Sequence, residues 1–119
     1  MKIQFNLAEK SAPERFLGTR IRASALREDL EPLLAKHAEV TLDFGGVEAT
    51  QSFIDELIGV LVIERGPEIV EQLVFRSCSD DVKAIINFVL GDRIEQYRQR
   101  VPAHGLPGRA RHPKARCWV

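Results

Sequence analysis

Residues 40–66 constrain the fold of this chain more than any other stretch. They read VTLDFGGVEATQSFIDELIGVLVIERG, which is a short β-rich run, a Gly-Gly turn and a helix that is apolar on most of its surface. Val40, Leu42 and Phe44 fall on one face of the β-rich run and polar residues on the other. This alternation predicts a central strand that ends near Asp43.

The loop at residues 45–51 follows that strand directly, at the position where open α/β sheets carry their functional loops. It leads into a helix whose N-terminus we place at or near Ser52. Such an end favours a phosphate or a carboxylate, because it concentrates unpaired N–H groups and the positive end of the helix dipole. Ser52 followed by Asp55 also resembles an ordinary N-cap with an acid three residues later, a structural role worth about 1 kcal/mol. Both interpretations of Ser52 stay open.

The remaining periodicities predict strands and helices in alternation. The predicted elements are a strand around Ile3 and Phe5, a helix from Ser24, the strand and helix of residues 40–66, a strand at residues 68–76 and a helix from Ser79 to about Tyr97. Ser24 is the expected N-cap of its helix, and Ser79 or Asp80 that of the last helix. Inside the helix from Ser24, Pro32 predicts either a kink or a later start near Leu30. This order of elements predicts an α/β fold with parallel neighbouring strands.

Length and composition place the chain among ordinary globular proteins. Its 119 residues fit one domain, and no apolar run reaches the roughly 18 residues of a membrane span. The start, MKIQFNLAEK, has no apolar core of a secretory signal, so we expect a cytoplasmic protein. Cys78 and Cys117 are too few for a disulfide framework and are expected to be free thiols.

The formal net charge of zero conceals an asymmetry along the chain. All 17 acidic residues precede Arg98, whereas six of the 17 basic residues lie from Arg98 onward. We therefore divide the chain into an acidic domain, residues 1–97, and a basic Pro/Gly-rich tail, residues 98–119, which we expect to be flexible and disordered. Any binding of nucleic acid is expected to come from the tail, through neutralisation of phosphates.

The sequence offers little for catalysis or for a metal ion. His37 lies at a predicted helix end, and His104 and His112 lie in the tail, so the domain lacks a convincing general base. Asp43 has only Glu48 as a nearby acid, and no spacing in the chain matches a known metal site. Gly45 and Gly46 are too few for a phosphate-cradling motif. We expect no enzymatic activity, no metal and no cofactor.

The segment LDFGGVEATQSFIDELIGVL, with GTRIRA before it, resembles the STAS-like domain family, bacterial modules similar to the STAS domains of anti-sigma-factor antagonists. The resemblance covers residues 16–97. It implies a mixed β-sheet covered by helices and no catalytic chemistry of its own. It also implies a surface around the central strand, loop and helix that is recognised by a histidine-kinase-like ATPase or another anti-sigma-type regulator.

Phosphorylatable members of that family carry a Ser or Thr acceptor at the start of this helix, within an acidic-Ser-Ser/Thr-Gly pattern. This chain departs from the pattern, since Gln51 replaces the acidic residue, Phe53 stands at the usual acceptor position and Ile54 replaces the Gly. Ser52 and Thr50 remain as candidate phosphoacceptors. The candidate partner-binding residues are Asp43, Gly45, Gly46, Glu48, Gln51, Asp55 and Glu56. Of these, Asp55 and Glu56 are expected to lie on the exposed side of the helix.

Three functional hypotheses follow from the sequence. The first is a non-enzymatic regulatory module that binds a protein partner, with phosphorylation as a means of control. The second is a nucleic-acid-associated protein that uses its basic tail. The third is a sensor that binds a small ligand or nucleotide at residues 45–51.

Overall fold

The structure is a computed structural model that describes residues 2–11, 16–45, 47–100 and 117–118. Its strands are β1 (Lys2–Asn6), β2 (Phe16–Leu17), β3 (Glu39–Asp43), β4 (Glu48–Ala49), β5 (Leu73–Arg76) and β6 (Cys117–Trp118). Its helices are α1 (Leu7–Ser11), α2 (Arg20–Lys36), α3 (Gln51–Ile54), α4 (Val60–Arg65) and α5 (Asp80–Arg100). A π-helical segment, Asp55–Gly59, joins α3 to α4, and a 3-10 helix, Pro67–Gln72, precedes β5.

The main sheet has the strand order β1-β3-β5-β6, and a second, two-stranded sheet pairs β2 with β4. In the main sheet Val40 lies opposite Ile3 on one side and Leu73 on the other. The α/β class and the helix-covered sheet are confirmed. Every strand pair among the described residues is parallel, however, so the mixed sheet that the resemblance implies is not found there.

Strand β3 occupies the centre of the sheet, as its alternation predicts. Val40, Leu42 and Phe44 are fully buried, whereas Thr41 and Asp43 on the other face are partly exposed. The strand delivers the chain to its carboxyl end, where the loop to α3 begins. The loop between β3 and α3 therefore lies where the sequence places it.

The helix of residues 51–65, hereafter the central helix, consists of α3, the π-helical segment and α4. It packs between α2 on one side and α5 on the other, above the sheet. This position explains why the sequence is apolar nearly all round the helix, as predicted. Its fully buried side chains are Phe53, Ile54, Leu57, Ile58, Leu61 and Val62.

Helix α2 begins four residues earlier than Ser24, the predicted cap. Thr19 has extended backbone geometry, and its Oγ1 accepts a hydrogen bond of 3.2 Å from the N–H of Arg22. The Ser24 cap is therefore wrong, because the helix already has its cap at Thr19. The helix also runs through Pro32, which is exposed, so the predicted late start near Leu30 is wrong as well.

The strand predicted at residues 68–76 is half as long as expected. Only Leu73–Arg76 is extended, and Pro67–Gln72 forms the 3-10 helix instead. Gly66 ends the central helix with a φ of 94°, a conformation that favours glycine, and Pro67 then starts the 3-10 helix. The apolar residues of this turn, Ile69 and Val70, are buried, so burial rather than extension explains their pattern.

Helix α5 begins with the predicted cap. Ser79 Oγ accepts a hydrogen bond of 3.1 Å from the N–H of Val82. The helix continues to Arg100, three residues past the boundary at which we end the domain, and Cys117–Trp118 pairs with β5. Residues 101–116 lie outside the described residues, so the disorder of the tail stays a prediction.

None of the helices in the described part of the chain is both long and apolar enough to cross a lipid bilayer.

Candidate functional site

Thr50 caps the central helix. Its Oγ1 accepts a hydrogen bond of 3.1 Å from the N–H of Phe53 and donates one of 3.0 Å to the carbonyl oxygen of Gly18. The predicted N-cap role of Ser52 is therefore wrong, because Ser52 is the second residue of the helix rather than the residue before it. Both hydrogen-bonding functions of the Thr50 hydroxyl are used within the fold.

Ser52 and the neighbouring Gln51 are exposed at the first turn of this helix. Both line a cleft of about 230 Å³ between the starts of α2 and α3 and the middle of α5. The other residues that line it are Arg20, Asp55, Phe88, Val89, Asp92, Arg93 and Gln96.

Asp55 lies at the floor of the cleft in a strong ion pair. Its Oδ1 and Oδ2 accept hydrogen bonds of 2.6 Å from Nε and Nη2 of Arg93, and Oδ2 also accepts one of 3.0 Å from Arg20. The hydrogen bonds from Arg93 hold the pKa of Asp55 below its ordinary value, against the opposing effect of burial. The bidentate pair ties the central helix to α5.

Glu56 ties the central helix to α2 in the same manner. Nη1 of Arg27 lies 2.8 Å from its Oε2 and also donates to its backbone carbonyl, while Arg20 lies 3.4 Å from Oε1. The hydrogen bond from Arg27 lowers the pKa of Glu56. Arg27 also contacts Glu31, which in turn contacts Arg65.

Asp55 and Glu56 are therefore not the exposed residues that the sequence predicts. Only 15% of the Asp55 side chain and 22% of the Glu56 side chain are exposed. Each carboxylate is engaged by an arginine from a neighbouring helix, so the two residues align the three helices.

Gly59 makes the contact between the central helix and α5 possible. A Cβ at this position would lie 2.6 Å from Asp55 Oδ1, 3.1 Å from Arg93 Cγ and 3.1 Å from Val89 Cγ1. The absence of a side chain therefore leaves the space in which Asp55 and Arg93 meet.

The other predicted partner-binding residues lie elsewhere, at the carboxyl end of β3. Asp43 Oδ2 accepts a hydrogen bond of 2.7 Å from Gln4, and its buried Oδ1 has no hydrogen-bond partner among the described residues. Gly45 has a φ of 55°, and Glu48 accepts a hydrogen bond of 3.3 Å from Ser79. Gly46 lies outside the described residues. The structure thus separates this group from Gln51 and Asp55 at the cleft, and contact of either group with a partner stays a prediction.

Among the described residues outside the cleft, no titratable side chain is an activated nucleophile. Cys78 is a free thiol, and burial raises its pKa to about 12, so it stays protonated at neutral pH. His37 follows the last turn of α2. No group of three or more His, Cys, Asp or Glu side chains in the described ranges is arranged to hold a metal ion. His104, His112 and the Cys117 side chain lie outside these ranges.

Two large apolar side chains stand out on the described surface. Ile21 is 86% exposed and directly follows Arg20, which lines the cleft. Phe88 is 58% exposed and lines the cleft itself. Of the two, only Phe88 lines the cleft, where it lies among mainly polar and charged side chains.

Sequence reasoning misses Arg20, Phe88 and Arg93 as site residues. One signal for Arg93 is present in the sequence, because it lies four residues after Val89 and so continues the apolar stripe of α5. A charged residue on a core-facing stripe indicates a paired carboxylate nearby. The signal gives no means of identifying that carboxylate as Asp55.

A family model described as the STAS-like domain of unknown function (DUF4325) matches residues 22–83, just over half of the chain. Neither a curated protein nor a solved structure shows a significant match.

Proposed function

The chain belongs to the STAS-like domain family, and on that premise we propose that it is a non-enzymatic regulatory module that binds a protein partner. The partner is a histidine-kinase-like ATPase or another anti-sigma-type regulator. It contacts the surface around the cleft, which we define as Arg20, Ile21, Gln51, Ser52 and Phe88. The exposed Phe88 side chain, which lines the cleft together with the exposed first turn of the central helix, is the observation that carries this proposal. Ile21 is included because it is exposed and directly follows Arg20 in the chain.

The chemistry of the cleft supports binding rather than catalysis. A general base needs a carboxylate or an imidazole free to accept a proton near neutral pH. Asp55 is engaged by two arginines that lower its pKa, and no His among the described residues lines the cleft. Glutamine, serine and arginine side chains instead provide hydrogen-bond donors for a partner.

Ser52 is the hydroxyl that the proposal assigns to phosphate control. Phe53, at the usual acceptor position, is fully buried, and the Thr50 hydroxyl is committed to the helix cap. Ser52 is exposed and lines the cleft. A phosphate there would add about two negative charges to the surface that the partner contacts.

Binding of a histidine-kinase-like ATPase or anti-sigma-type regulator from the same genome tests the proposal, measured by isothermal titration calorimetry. Ile21→Ser and Phe88→Ser are expected to weaken binding at least tenfold, because each removes an exposed apolar contact, while the melting temperature stays unchanged. Ala84→Ser is the matched control, since Ala84 is exposed on the same helix as Phe88 but does not line the cleft. Equal affinities for all variants, or no binding by the parent chain, would refute the proposed surface.

Phosphate control is tested separately with Ser52→Asp and Ser52→Ala. Because Ser52 does not cap the helix, Ser52→Ala removes the hydroxyl without removing the cap. Control by phosphate predicts that Ser52→Asp loses the partner, that Ser52→Ala retains it, and that incubation with the ATPase and ATP adds phosphate at Ser52. If Ser52→Asp binds normally and mass spectrometry detects no phosphate, phosphate control is refuted and the chain binds its partner constitutively.

A further inference from the structure

The size of the cleft limits what it can hold. Its volume of about 230 Å³ is below the roughly 300–1,000 Å³ of pockets that enclose small molecules. A whole nucleotide would therefore remain largely outside it. One or two side chains of a protein partner match the available space.

Four charged side chains line the cleft, namely Arg20, Asp55, Asp92 and Arg93. Each of the three guanidinium nitrogens of Arg93 has a partner, since Nε and Nη2 bind the two oxygens of Asp55 and Nη1 donates a hydrogen bond of 3.2 Å to Gln96. The hydrogen bonds to Asp55 raise the pKa of Arg93, and the charge of Asp92 adds to this effect. Asp92 itself accepts a hydrogen bond of 2.9 Å from Gln96.

Arg20 differs from the other three in the strength of its contacts. It lies 3.0 Å from Asp55 and 3.4 Å from Glu56, and each carboxylate has a shorter bond to another arginine. Its side chain is 52% exposed, against 23% for Arg93. Exposed ion pairs contribute little to stability, so Arg20 can exchange its partners while Asp55 and Glu56 stay paired.

From these contacts we propose that the cleft receives an acidic side chain of the protein partner and that Arg20 binds it. A guanidinium accommodates a carboxylate with two parallel hydrogen bonds once the surrounding water is displaced. An apolar residue adjacent to the acidic one packs against Phe88. This inference rests on the proposed function, because it names the group by which the partner is recognised.

Short capped dipeptides test the inference without the natural partner. The probes are acetyl-Glu-Leu-amide and its neutral counterpart acetyl-Gln-Leu-amide, titrated into the full chain and followed through the backbone amide signals of Gln51 and Ser52 by NMR. The acidic peptide is expected to bind about tenfold more tightly than the neutral one. Arg20→Gln is expected to abolish this preference. Asp92→Asn is expected to increase it, because the substitution removes a like charge from the cleft.

Arg65→Gln is the matched control. Arg65 is also half-exposed and weakly paired, at 3.5 Å from Glu31, but it does not line the cleft. This variant is expected to keep the preference of the parent chain, and all variants are first checked for an unchanged melting temperature.

Equal binding of the two peptides, or a preference that survives Arg20→Gln, would overturn the inference. Tighter binding of acetyl-Lys-Leu-amide than of the acidic peptide would also overturn it, since it would identify Asp92 as the recognising group. These outcomes are independent of the calorimetric test of the partner. If the chain prefers the acidic peptide but does not bind the ATPase or regulator, only the proposed function is refuted. If it binds the ATPase or regulator but shows no preference for the acidic peptide, only the inference is refuted.

Discussion

Thr50 and Ser52 are two residues apart and chemically similar, but the fold uses them differently. The Thr50 hydroxyl makes two hydrogen bonds to the backbone, one to its own helix and one to Gly18 in the segment that follows β2. Ser52 is exposed and lines the cleft. The capping pattern in the sequence favours Ser52, because Asp55 follows it by three residues, whereas Phe53 stands three residues after Thr50. The fold nevertheless caps the helix with Thr50.

Substitution of the two hydroxyl residues distinguishes these roles. Thr50→Ala is expected to lower the free energy of unfolding by about 1–2 kcal/mol, because it removes the cap and the bond to Gly18. Ser52→Ala is expected to change it by less than about 0.5 kcal/mol. Urea denaturation of the two variants measures both values, with Thr50→Ser as the control that keeps the hydroxyl. A larger loss for Ser52→Ala than for Thr50→Ala would contradict the assigned cap.

Asp55 and Glu56 make the stability of the domain depend on pH. The arginine contacts hold both pKa values below the ordinary values of 3.8 and 4.5. A carboxyl group whose pKa is lower in the folded state stabilises the fold above its unfolded-state pKa. That contribution is lost as the pH falls through the folded-state pKa. The relevant window therefore begins near pH 5 and extends to below pH 4.

Removal of the Asp55 carboxylate should weaken the dependence of stability on pH. Asp55→Asn is expected to be less stable than the parent chain at pH 7, because Arg93 loses its charged partner. Between about pH 5 and pH 3, its free energy of unfolding is also expected to fall by less than that of the parent chain. Urea denaturation at a series of pH values gives both quantities. Parallel stability curves for the parent and the variant would show that Asp55 is not linked to acid unfolding.

At the scale of elements, the contact between the central helix and α5 depends on a glycine that helix propensity disfavours. Glycine inside a helix costs about 1 kcal/mol relative to alanine. Gly59 is buried at the end of the π-helical segment, where it allows Asp55 and Arg93 to meet. A π-helical turn inside an α-helix is uncommon and often lies next to a functional site. Here it adjoins the cleft.

Gly59 and Gly91 offer a matched pair of substitutions. Gly59→Ala is expected to destabilise the domain by about 1 kcal/mol, because crowding against Asp55, Arg93 and Val89 outweighs the gain in helix propensity. Gly91→Ala is expected to stabilise it by up to about 1 kcal/mol, since an added Cβ there has no neighbour within 4 Å. Thermal and urea unfolding of both variants test this difference in sign. Stabilisation by Gly59→Ala would contradict the close packing.

The extent to which the sequence predicts these elements depends on periodicity. The alternation of β3 and the all-round apolar surface of the central helix predict a central strand and a buried helix, and both are found. The strand at residues 68–76 is only half right, because short apolar runs fit a buried 3-10 turn as well as a strand. The cleft is not predictable in this way, since it depends on how Arg20 and Arg93 from distant helices meet Asp55.

At the scale of the whole molecule, the end of the chain contributes to the main sheet. Cys117 lies opposite Val74 and Trp118 opposite Phe75, so β6 covers the edge of β5 that β3 leaves free. The sequence conceals this pairing, because a two-residue strand at the end of a basic Pro/Gly-rich segment has no periodicity. Residues 101–116, which carry four of the basic residues of the tail, separate β6 from α5.

The nucleic-acid alternative is tested by replacing residues 101–116 with a Gly/Ser linker of equal length, which preserves the reach to β6. The replacement removes Arg109, Arg111, Lys114 and Arg116. If the tail binds nucleic acid, the parent chain is expected to shift DNA in a gel with an affinity that falls steeply with salt, and the replaced chain is expected to lose the shift. A shift that persists in the replaced chain would exclude the tail as its source.

Removal of residues 101–119 is expected to have a moderate effect on stability. The core beneath β5 is formed by β3 and the helices, so the truncated chain should fold. Loss of β6 leaves the backbone of β5 without a neighbour on one side among the described residues, and such edges favour pairing between molecules. The melting temperature should therefore fall by only a few degrees, and light scattering should detect self-association.

The chain with the Gly/Ser linker is the control, because it keeps β6 and should remain monomeric if the parent is. Unchanged melting and association after truncation would show that β6 adds nothing to the sheet, whereas complete unfolding would place the tail within the core.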